Sequence, residues 1–87
     1  MELNDKIIKL GEELKGRLEP SMVDYALEYI GYSESALALE TLCDYIGDYD
    51  ILITSDEYSR ILSMVDELGL KISARYTYID PGKVEGE

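Results

Sequence analysis

Residues 20–50 read PSMVDYALEYIGYSESALALETLCDYIGDYD, and apolar residues recur through this stretch at steps of three and four. That period predicts two amphipathic helices, because residues spaced in this way share one helix face. The first helix is expected to open after Pro20, with Ser21 and Asp24 as its capping box, and to end near Tyr32. The second is expected over residues 33–47. Their predicted buried positions are Met22, Val23, Ala26, Leu27, Ile30, Ala36, Leu39, Cys43 and Ile46.

Upstream of this pair, the apolar spacing predicts a helix over residues 4–18, with Asn4 as its N-cap. Acids and bases alternate along its outer face in i,i+4 pairs, which is typical of a solvated helix. Gly11 and Gly16 are expected to weaken this helix, each by up to about 1 kcal/mol relative to Ala. The three charge pairs are Glu2 with Lys6, Asp5 with Lys9 and Glu13 with Arg17.

Downstream of the pair, a linker leads into a fourth helix. Ile51 and Ile53 are predicted to anchor the linker to the core. Thr54 and Glu57 form a capping box, and Ile53 with Tyr58 supplies the hydrophobic staple that often accompanies one. The fourth helix is therefore expected to begin directly after Thr54.

The end of the fourth helix and the segment after it complete the predicted fold. Gly69 followed by the apolar Leu70 predicts a Schellman end. Residues 71–80, KISARYTYID, fit a strand or a short helical turn, and a lone strand would have nothing to pair with. We therefore expect an all-α fold, a compact single-domain bundle of about four helices over residues 1–80 with a short irregular C-terminal segment. Residues 81–87 are expected to form a flexible tail.

The composition limits the possible partners of the chain. Its 87 residues carry a formal net charge of −11 and an apolar fraction of 46%, so the acidity belongs to a folded body. Such a charge repels nucleic acid phosphates and anionic lipid headgroups, and it favours basic proteins as partners. The single Cys43 is expected to be buried, and a reducing cytoplasm suits it best. No stretch reads as a signal peptide or a membrane span.

The acids are concentrated where bases are missing. Between Arg17 and Arg60 the chain runs for 42 residues without Lys or Arg, yet this basic-free interval holds ten carboxylates and six tyrosines. Glu40, Asp44 and Asp48 follow one another at steps of four, and each like-charge pair costs roughly 0.2 to 0.5 kcal/mol. A solvated face kept acidic for solubility is the ordinary interpretation of such a run. Uncompensated acids bordered by tyrosines favour instead a binding face for a cationic partner.

The tyrosines divide into two groups on the predicted helices. Tyr29 and Tyr58 border the apolar stripes and are expected at the edge of the core, whereas other tyrosines project beside the acids. Tyrosine contributes strongly to protein interfaces because it offers a large contact area at low entropic cost. The predicted partner-binding residues are Asp24, Tyr25, Glu28, Tyr32, Leu37, Glu40, Asp44, Tyr45, Asp48 and Tyr49.

Catalytic and metal chemistry find little support in the sequence. The chain has no His, and Cys43 has no basic neighbour in sequence that would activate it. A calcium loop starting at Asp48 fails, because Leu52 stands at its fifth position and Ile53 where glycine is needed. One Cys without His does not make a zinc site. Acyl carrier proteins attach their arm to an Asp-Ser pair, which the chain lacks. We therefore predict no enzyme, no cofactor and no metal.

Several segments resemble the MafI-type immunity proteins, a group that includes the CdiI immunity proteins of contact-dependent growth inhibition. The similar segments are ALEYI at 26–30, ALALE at 36–40, LCD at 42–44, Ile51, and ITxDEY at 53–58. The resemblance covers roughly residues 20–68. It implies a cytoplasmic bacterial protein that neutralises the C-terminal domain of a cognate toxin, often a nuclease such as an EndoU-like RNase.

Two other functions stay open at this point. An acidic helical adaptor could regulate a host protein with no toxin involved, and an orphan gene without a toxin gene upstream would favour it. A small enzyme would need a shielded, strongly perturbed carboxylate, which the sequence does not indicate. The toxin's reaction, a block at its active site or at an exosite, and the oligomeric state are not determined by these residues.

Overall fold

The computed structural model describes residues 3–82, in which all regular secondary structure is helical and no strand occurs. Its helices are α1 (Leu3–Leu14), α2 (Pro20–Gly31), α3 (Ser35–Asp48), α4 (Ser55–Glu67) and the single turn α5 (Ala74–Thr77). The predicted all-α bundle with four main helices is confirmed. Most of the predicted tail, from residue 83 onward, lies outside the described residues. No helix in the described range combines the length and the apolar character needed to cross a membrane.

The helices enclose one hydrophobic core. α2 and α3 pack against each other, α1 contacts α2, α3 and α4, and α5 rests on α3. Every main helix contributes an apolar stripe at helical spacing, which is the arrangement that buries one face and leaves the other in water. The buried apolar residues are Ile7, Leu10, Leu14, Leu18, Val23, Ala26, Ala38, Leu39, Leu42, Cys43, Ile46, Ile53, Ile61, Met64, Val65, Tyr76 and Ile79.

Gly11 allows α1 and α2 to approach closely. A Cβ atom at Gly11 would lie 3.0 Å from Leu27 Cδ1 and 3.1 Å from Val23 Cγ1. The residue therefore contributes to packing, although glycine lowers the intrinsic stability of a helix. Gly16 lies beyond the end of α1, with no atom within 4 Å of an added Cβ.

Three predicted helix boundaries are wrong. α1 ends at Leu14, four residues early, and its chain turns at residues 15–18, where Leu18 N donates to Leu14 O at 2.8 Å. Asn4 lies inside α1, and its side chain accepts a hydrogen bond from Ser35 instead of capping the helix. α2 begins at Pro20, not after it, because the fixed φ of proline suits the first helical position. Ser21 is accordingly not the N-cap.

Short sequence motifs correctly predict the start and the end of α4. Thr54 Oγ1 accepts from Glu57 N at 3.0 Å and Glu57 Oε1 accepts from Thr54 N at 2.9 Å, so the predicted capping box is present. Gly69 has a φ of +71°, and Leu70 N donates to Val65 O at 3.0 Å, which confirms the Schellman end of α4.

The same Schellman geometry ends α2 and α3 without a glycine. Ser33 and Asp50 have φ angles of +62° and +52°. Glu34 N donates to Tyr29 O, and Ile51 N donates to Ile46 O, each at 2.9 Å. A side chain in the left-handed region costs free energy, so tertiary packing must hold both turns in place.

The C-terminal segment contributes to the core. Residues 71–80 contain the helical turn α5, so the strand alternative is wrong and the segment is less irregular than predicted. Tyr76 and Ile79 are buried against the bundle. The Tyr76 hydroxyl has no hydrogen-bond partner within residues 3–82, and its burial raises the pKa of Tyr76.

Candidate partner-binding surface

The structure exposes most of the predicted partner-binding residues. Tyr25, Tyr32 and Tyr49 have 54%, 73% and 60% of their surface accessible, which is unusual for large aromatic residues. Leu37 is also exposed, on the same face of α3 as Asp44 and Asp48. The remaining predicted members are exposed or half-buried: Asp24 and Glu28 belong to the first group, and Glu40 and Tyr45 to the second.

Four tyrosines from α2 and α3 form a group that we call the tyrosine cluster: Tyr25, Tyr29, Tyr45 and Tyr49. The rings of Tyr25 and Tyr29 meet edge to face with centroids 5.8 Å apart, and their hydroxyls are 3.5 Å apart. The hydrogen bond with Tyr25 is the main cause that raises the pKa of Tyr29. Partial burial raises the pKa of Tyr45, with smaller contributions from Tyr25 and Tyr49, so the cluster spans both helices.

The edge-of-core prediction for two tyrosines is confirmed. Tyr29 and Tyr58 are half-buried and pack against the hydrophobic core. Tyr29 also holds Tyr25 through the edge-to-face contact, so the exposed ring of Tyr25 rests on a residue fixed by the core. Aromatic pairs of this kind contribute about 0.5 to 1.5 kcal/mol beyond their buried area. The exposed Tyr25 ring is therefore supported from below by Tyr29, which packs against the core.

The predicted ladder of uncompensated acids is wrong for two of its three members. Arg75 Nε lies 2.7 Å from Asp44 Oδ1, and Arg75 Nη1 lies 3.4 Å from Glu40 Oε2. Helix α5 packs on α3 and brings the Arg75 guanidinium to two acids that are distant in sequence. Asp44 lies 31 residues before Arg75, and Glu40 lies 35 residues before it. Sequence reasoning missed Arg75 because the alternation in residues 71–80 left its helix face undefined.

Asp24 also has an internal partner. Lys15 Nζ lies 2.9 Å from Asp24 Oδ1 and 3.2 Å from Glu12 Oε2. Lys15 lies in the turn that joins α1 to α2. This turn therefore supplies a basic partner to α2, which contains no Lys or Arg of its own. The hydrogen bond with Asp24 is the largest cause that raises the pKa of Lys15.

The structure separates Glu57 from the candidate surface, as its predicted capping role requires. Arg17 holds this carboxylate with both terminal nitrogens, Nη2 to Oε2 at 2.7 Å and Nη1 to Oε1 at 2.9 Å. The hydrogen bond from Arg17 is the main cause that lowers the pKa of Glu57 to about 2, with a further contribution from the Thr54 backbone. This bidentate pair ties the end of α1 to the start of α4.

Five acids of the basic-free interval form no ion pair with any residue between 3 and 82: Glu19, Glu28, Glu34, Asp48 and Asp50. Glu28 lies three residues after Tyr25, which places both on one face of α2, and Tyr32 follows as the C-cap of that helix. Asp48 lies three residues after Tyr45 on α3. Unpaired carboxylates thus stand beside the tyrosines on both helices. We call Tyr25, Glu28, Tyr32, Tyr45, Asp48 and Tyr49 the α2/α3 surface.

The surface offers contacts but no reactive group. Burial raises the pKa of Cys43 to about 12, so its thiol stays protonated near neutral pH. Within the part of the chain that the structure describes, no group of three or more His, Cys, Asp or Glu side chains is placed to hold a metal ion.

Comparisons of the chain with protein families, with curated proteins and with solved structures find no match.

Proposed function

We propose that this chain is a bacterial immunity protein that binds and neutralises a cognate toxin domain through the α2/α3 surface. The proposed target is a basic nuclease, with an EndoU-like RNase favoured by the resemblance of residues 20–68 to immunity proteins. One observation carries the proposal: exposed tyrosines stand beside Glu28 and Asp48, which have no ion pair within the described residues, and one of them, Tyr25, rests edge to face on the core-packed Tyr29.

The surface would act by steering and then by packing. A net charge of −11 draws a cationic domain toward the protein, and steered encounters reach on the order of 10⁸ to 10⁹ M⁻¹s⁻¹ at low salt. Glu28 and Asp48 would then accept charge-assisted hydrogen bonds from Lys or Arg of the toxin. Tyr25, Tyr32 and Tyr49 would bury their exposed rings against it. Inhibition follows if the bound protein covers the toxin's active site or substrate groove, and no catalysis is needed.

The internally paired acids take a different part in this proposal. Asp24, Glu40 and Asp44 contribute to the acidic field, but their nearest bases are Lys15 and Arg75 of the same chain. Reversal of Glu40 or Asp44 would also remove an ion pair between α3 and α5, so loss of binding in such a variant would have two causes. Glu28 and Asp48 can be reversed without breaking an ion pair among the described residues.

The test is co-expression with the C-terminal toxin domain encoded by the neighbouring gene. Survival of the cells and co-purification of the two proteins are the readouts. The double variant Glu28→Lys with Asp48→Lys is expected to lose protection. The control variant Asp5→Lys with Asp66→Lys makes the same change in net charge, at exposed sites on α1 and α4. Cells that carry this control are expected to survive the toxin domain.

Two results would contradict the proposal. Full protection by the Glu28→Lys, Asp48→Lys variant would show that the α2/α3 surface is not the toxin-binding face. A wild-type chain that neither protects nor co-purifies with the neighbouring toxin domain would favour the acidic adaptor instead.

A further inference from the structure

A second surface lies where the end of α3 meets the linker and the C-terminal segment. It contains a groove of about 330 Å³ whose lining is mainly apolar. Ile46, Ile53 and Ile79 are buried and form its floor, while Leu52 and Tyr78 stand at its side with 75% and 58% of their surface accessible. The groove is large enough to accept one apolar side chain.

Leu52 is held in an exposed position by its neighbours in the linker. Ile53 is buried and Ile51 is half-buried, which confirms that both anchor the linker to the core. The Leu52 carbonyl accepts a hydrogen bond from Arg17 Nη1 at 3.0 Å. The backbone is therefore fixed on both sides, and the leucine side chain is presented to solvent without the freedom of a loose loop.

An acidic depression adjoins the groove on the other side of Tyr78. It has a volume of about 480 Å³, and its acids are Asp44, Asp48 and Asp50. The two depressions share Gly47, Asp50 and Tyr78. The Tyr78 hydroxyl donates to Asp50 Oδ1 at 3.4 Å, and a Cβ atom at Gly47 would lie 3.3 Å from Tyr78 Cδ2. Gly47 thus lets the tyrosine ring sit close against α3 as the wall between the two depressions.

The charges around Tyr78 are acidic on both sides. Asp80 lines the apolar groove, and Asp48 and Asp50 in the acidic depression form no ion pair within residues 3–82. Arg75 also lines the acidic depression, but it is engaged by Glu40 and Asp44. An apolar groove bordered by unpaired carboxylates is complementary to an apolar side chain that has a basic residue beside it.

We propose that this double depression binds a peptide segment of the cationic partner in which an apolar residue stands next to Lys or Arg. The apolar side chain enters the groove beside Leu52, and the basic side chain lies across Tyr78 against Asp48 and Asp50. The inference rests on the proposed function in one respect only, since it takes the partner to be the same basic protein. It adds the element of the partner that is recognised and a second contact, which shares Asp48 with the α2/α3 surface.

The test needs no knowledge of the partner. A phage-displayed library of random 12-residue peptides is selected on the immobilised full chain, and enriched peptides are synthesised for affinity measurements. The enriched sequences are expected to place Lys or Arg within about three positions of an apolar residue. Leu52→Ser should weaken their binding at least about tenfold, a change of about 1.4 kcal/mol. Asp48→Asn should weaken it by a smaller factor.

Two matched control variants distinguish binding in the groove from non-specific binding elsewhere on the surface. Ile72→Ser removes another large exposed apolar side chain, with 55% of its surface accessible, that does not line the groove. Glu28→Lys changes the α2/α3 surface alone. Both variants should bind the selected peptides within about twofold of the wild type. Circular dichroism of each variant verifies that it is folded.

Three outcomes would overturn the inference: no enriched peptide, enrichment without the apolar and basic pattern, or equal binding by Leu52→Ser. Failure of the proposed function gives a different result, because the peptides would still bind in the groove while the chain gave no protection against the toxin domain. Protection that is lost in Glu28→Lys, which leaves the double depression unchanged, and kept in Leu52→Ser would leave the proposed function standing and remove the groove from it.

Discussion

The ion pair between Arg17 and Glu57 allows a quantitative prediction for the variant Glu57→Gln. The carboxylate is buried, and it accepts hydrogen bonds from Arg17 at 2.7 and 2.9 Å and from the Thr54 backbone at 2.9 Å. Glutamine keeps the size of the side chain and an oxygen for Thr54, but it removes the negative charge. The substitution therefore isolates the interaction with the guanidinium.

The magnitude follows from the pKa of Glu57, which falls from 4.5 to about 2 in the folded protein. The difference between these two pKa values corresponds to roughly 3 kcal/mol. Because the folded pKa lies below the unfolded value, this stabilisation is present above about pH 4.5 and is lost as the pH falls toward 2. Glu57→Gln should accordingly cost roughly 3 kcal/mol at pH 6 and almost nothing near pH 2.

The assay is urea unfolding of wild type and variant at a series of pH values. At each pH, the free energy of unfolding of the variant is subtracted from that of the wild type. Contributions from the other carboxylates cancel in this difference, because both proteins contain them. Glu67→Gln is the control, because Glu67 pairs with Lys6 at 3.2 Å on the exposed surface and should contribute 1 kcal/mol at most. A cost below about 1 kcal/mol at pH 6, or a cost that does not shrink in acid, would show that the charge of Glu57 does not stabilise the fold through Arg17.

Three further substitutions test the packing and the helix ends by urea or thermal unfolding. Gly11→Ala, which meets Leu27 at 3.0 Å, should be about 1 to 2 kcal/mol less stable than Gly31→Ala, whose Cβ meets no atom within 4 Å; equal stabilities would contradict the close packing. Tyr76→Phe should stabilise by about 1 kcal/mol because it removes a buried hydroxyl without a partner, and a loss of stability would show a missed hydrogen bond. Ser33→Gly should gain about 0.5 to 1 kcal/mol at its φ of +62°, whereas a loss would show that the serine side chain matters.

Features encoded within a few residues could be predicted from the sequence. The capping box of Thr54 and Glu57 and the Schellman end at Gly69 need only local contacts, and both are present. The apolar periodicity placed the four main helices and the burial of Cys43. Proline at the start of α2 is also a local signal, and its preference for the first helical position explains why Ser21 is not the cap.

Features that depend on distant residues could not be predicted. The partners of Asp24, Glu40 and Asp44 come from Lys15 and Arg75, which were assigned to a solvated helix and to an undefined segment. A stretch of sequence without Lys or Arg can therefore still have basic side chains beside its acids in the folded protein. The exposure of Tyr25, Tyr32 and Tyr49 could be inferred from helix faces, but the edge-to-face support under Tyr25 depends on how α2 and α3 pack.

The association rate of the purified chain with the toxin domain, measured by stopped flow at increasing salt, tests whether the α2/α3 surface binds the toxin. Association is expected to be fast and to slow steeply as salt screens the charges. Glu28→Lys with Asp48→Lys is expected to slow association at least about tenfold at low salt, while Asp5→Lys with Asp66→Lys has a clearly smaller effect. An association rate that does not depend on salt would contradict a toxin-binding role for the α2/α3 surface. An equal decrease of the association rate in the two double variants would contradict it as well.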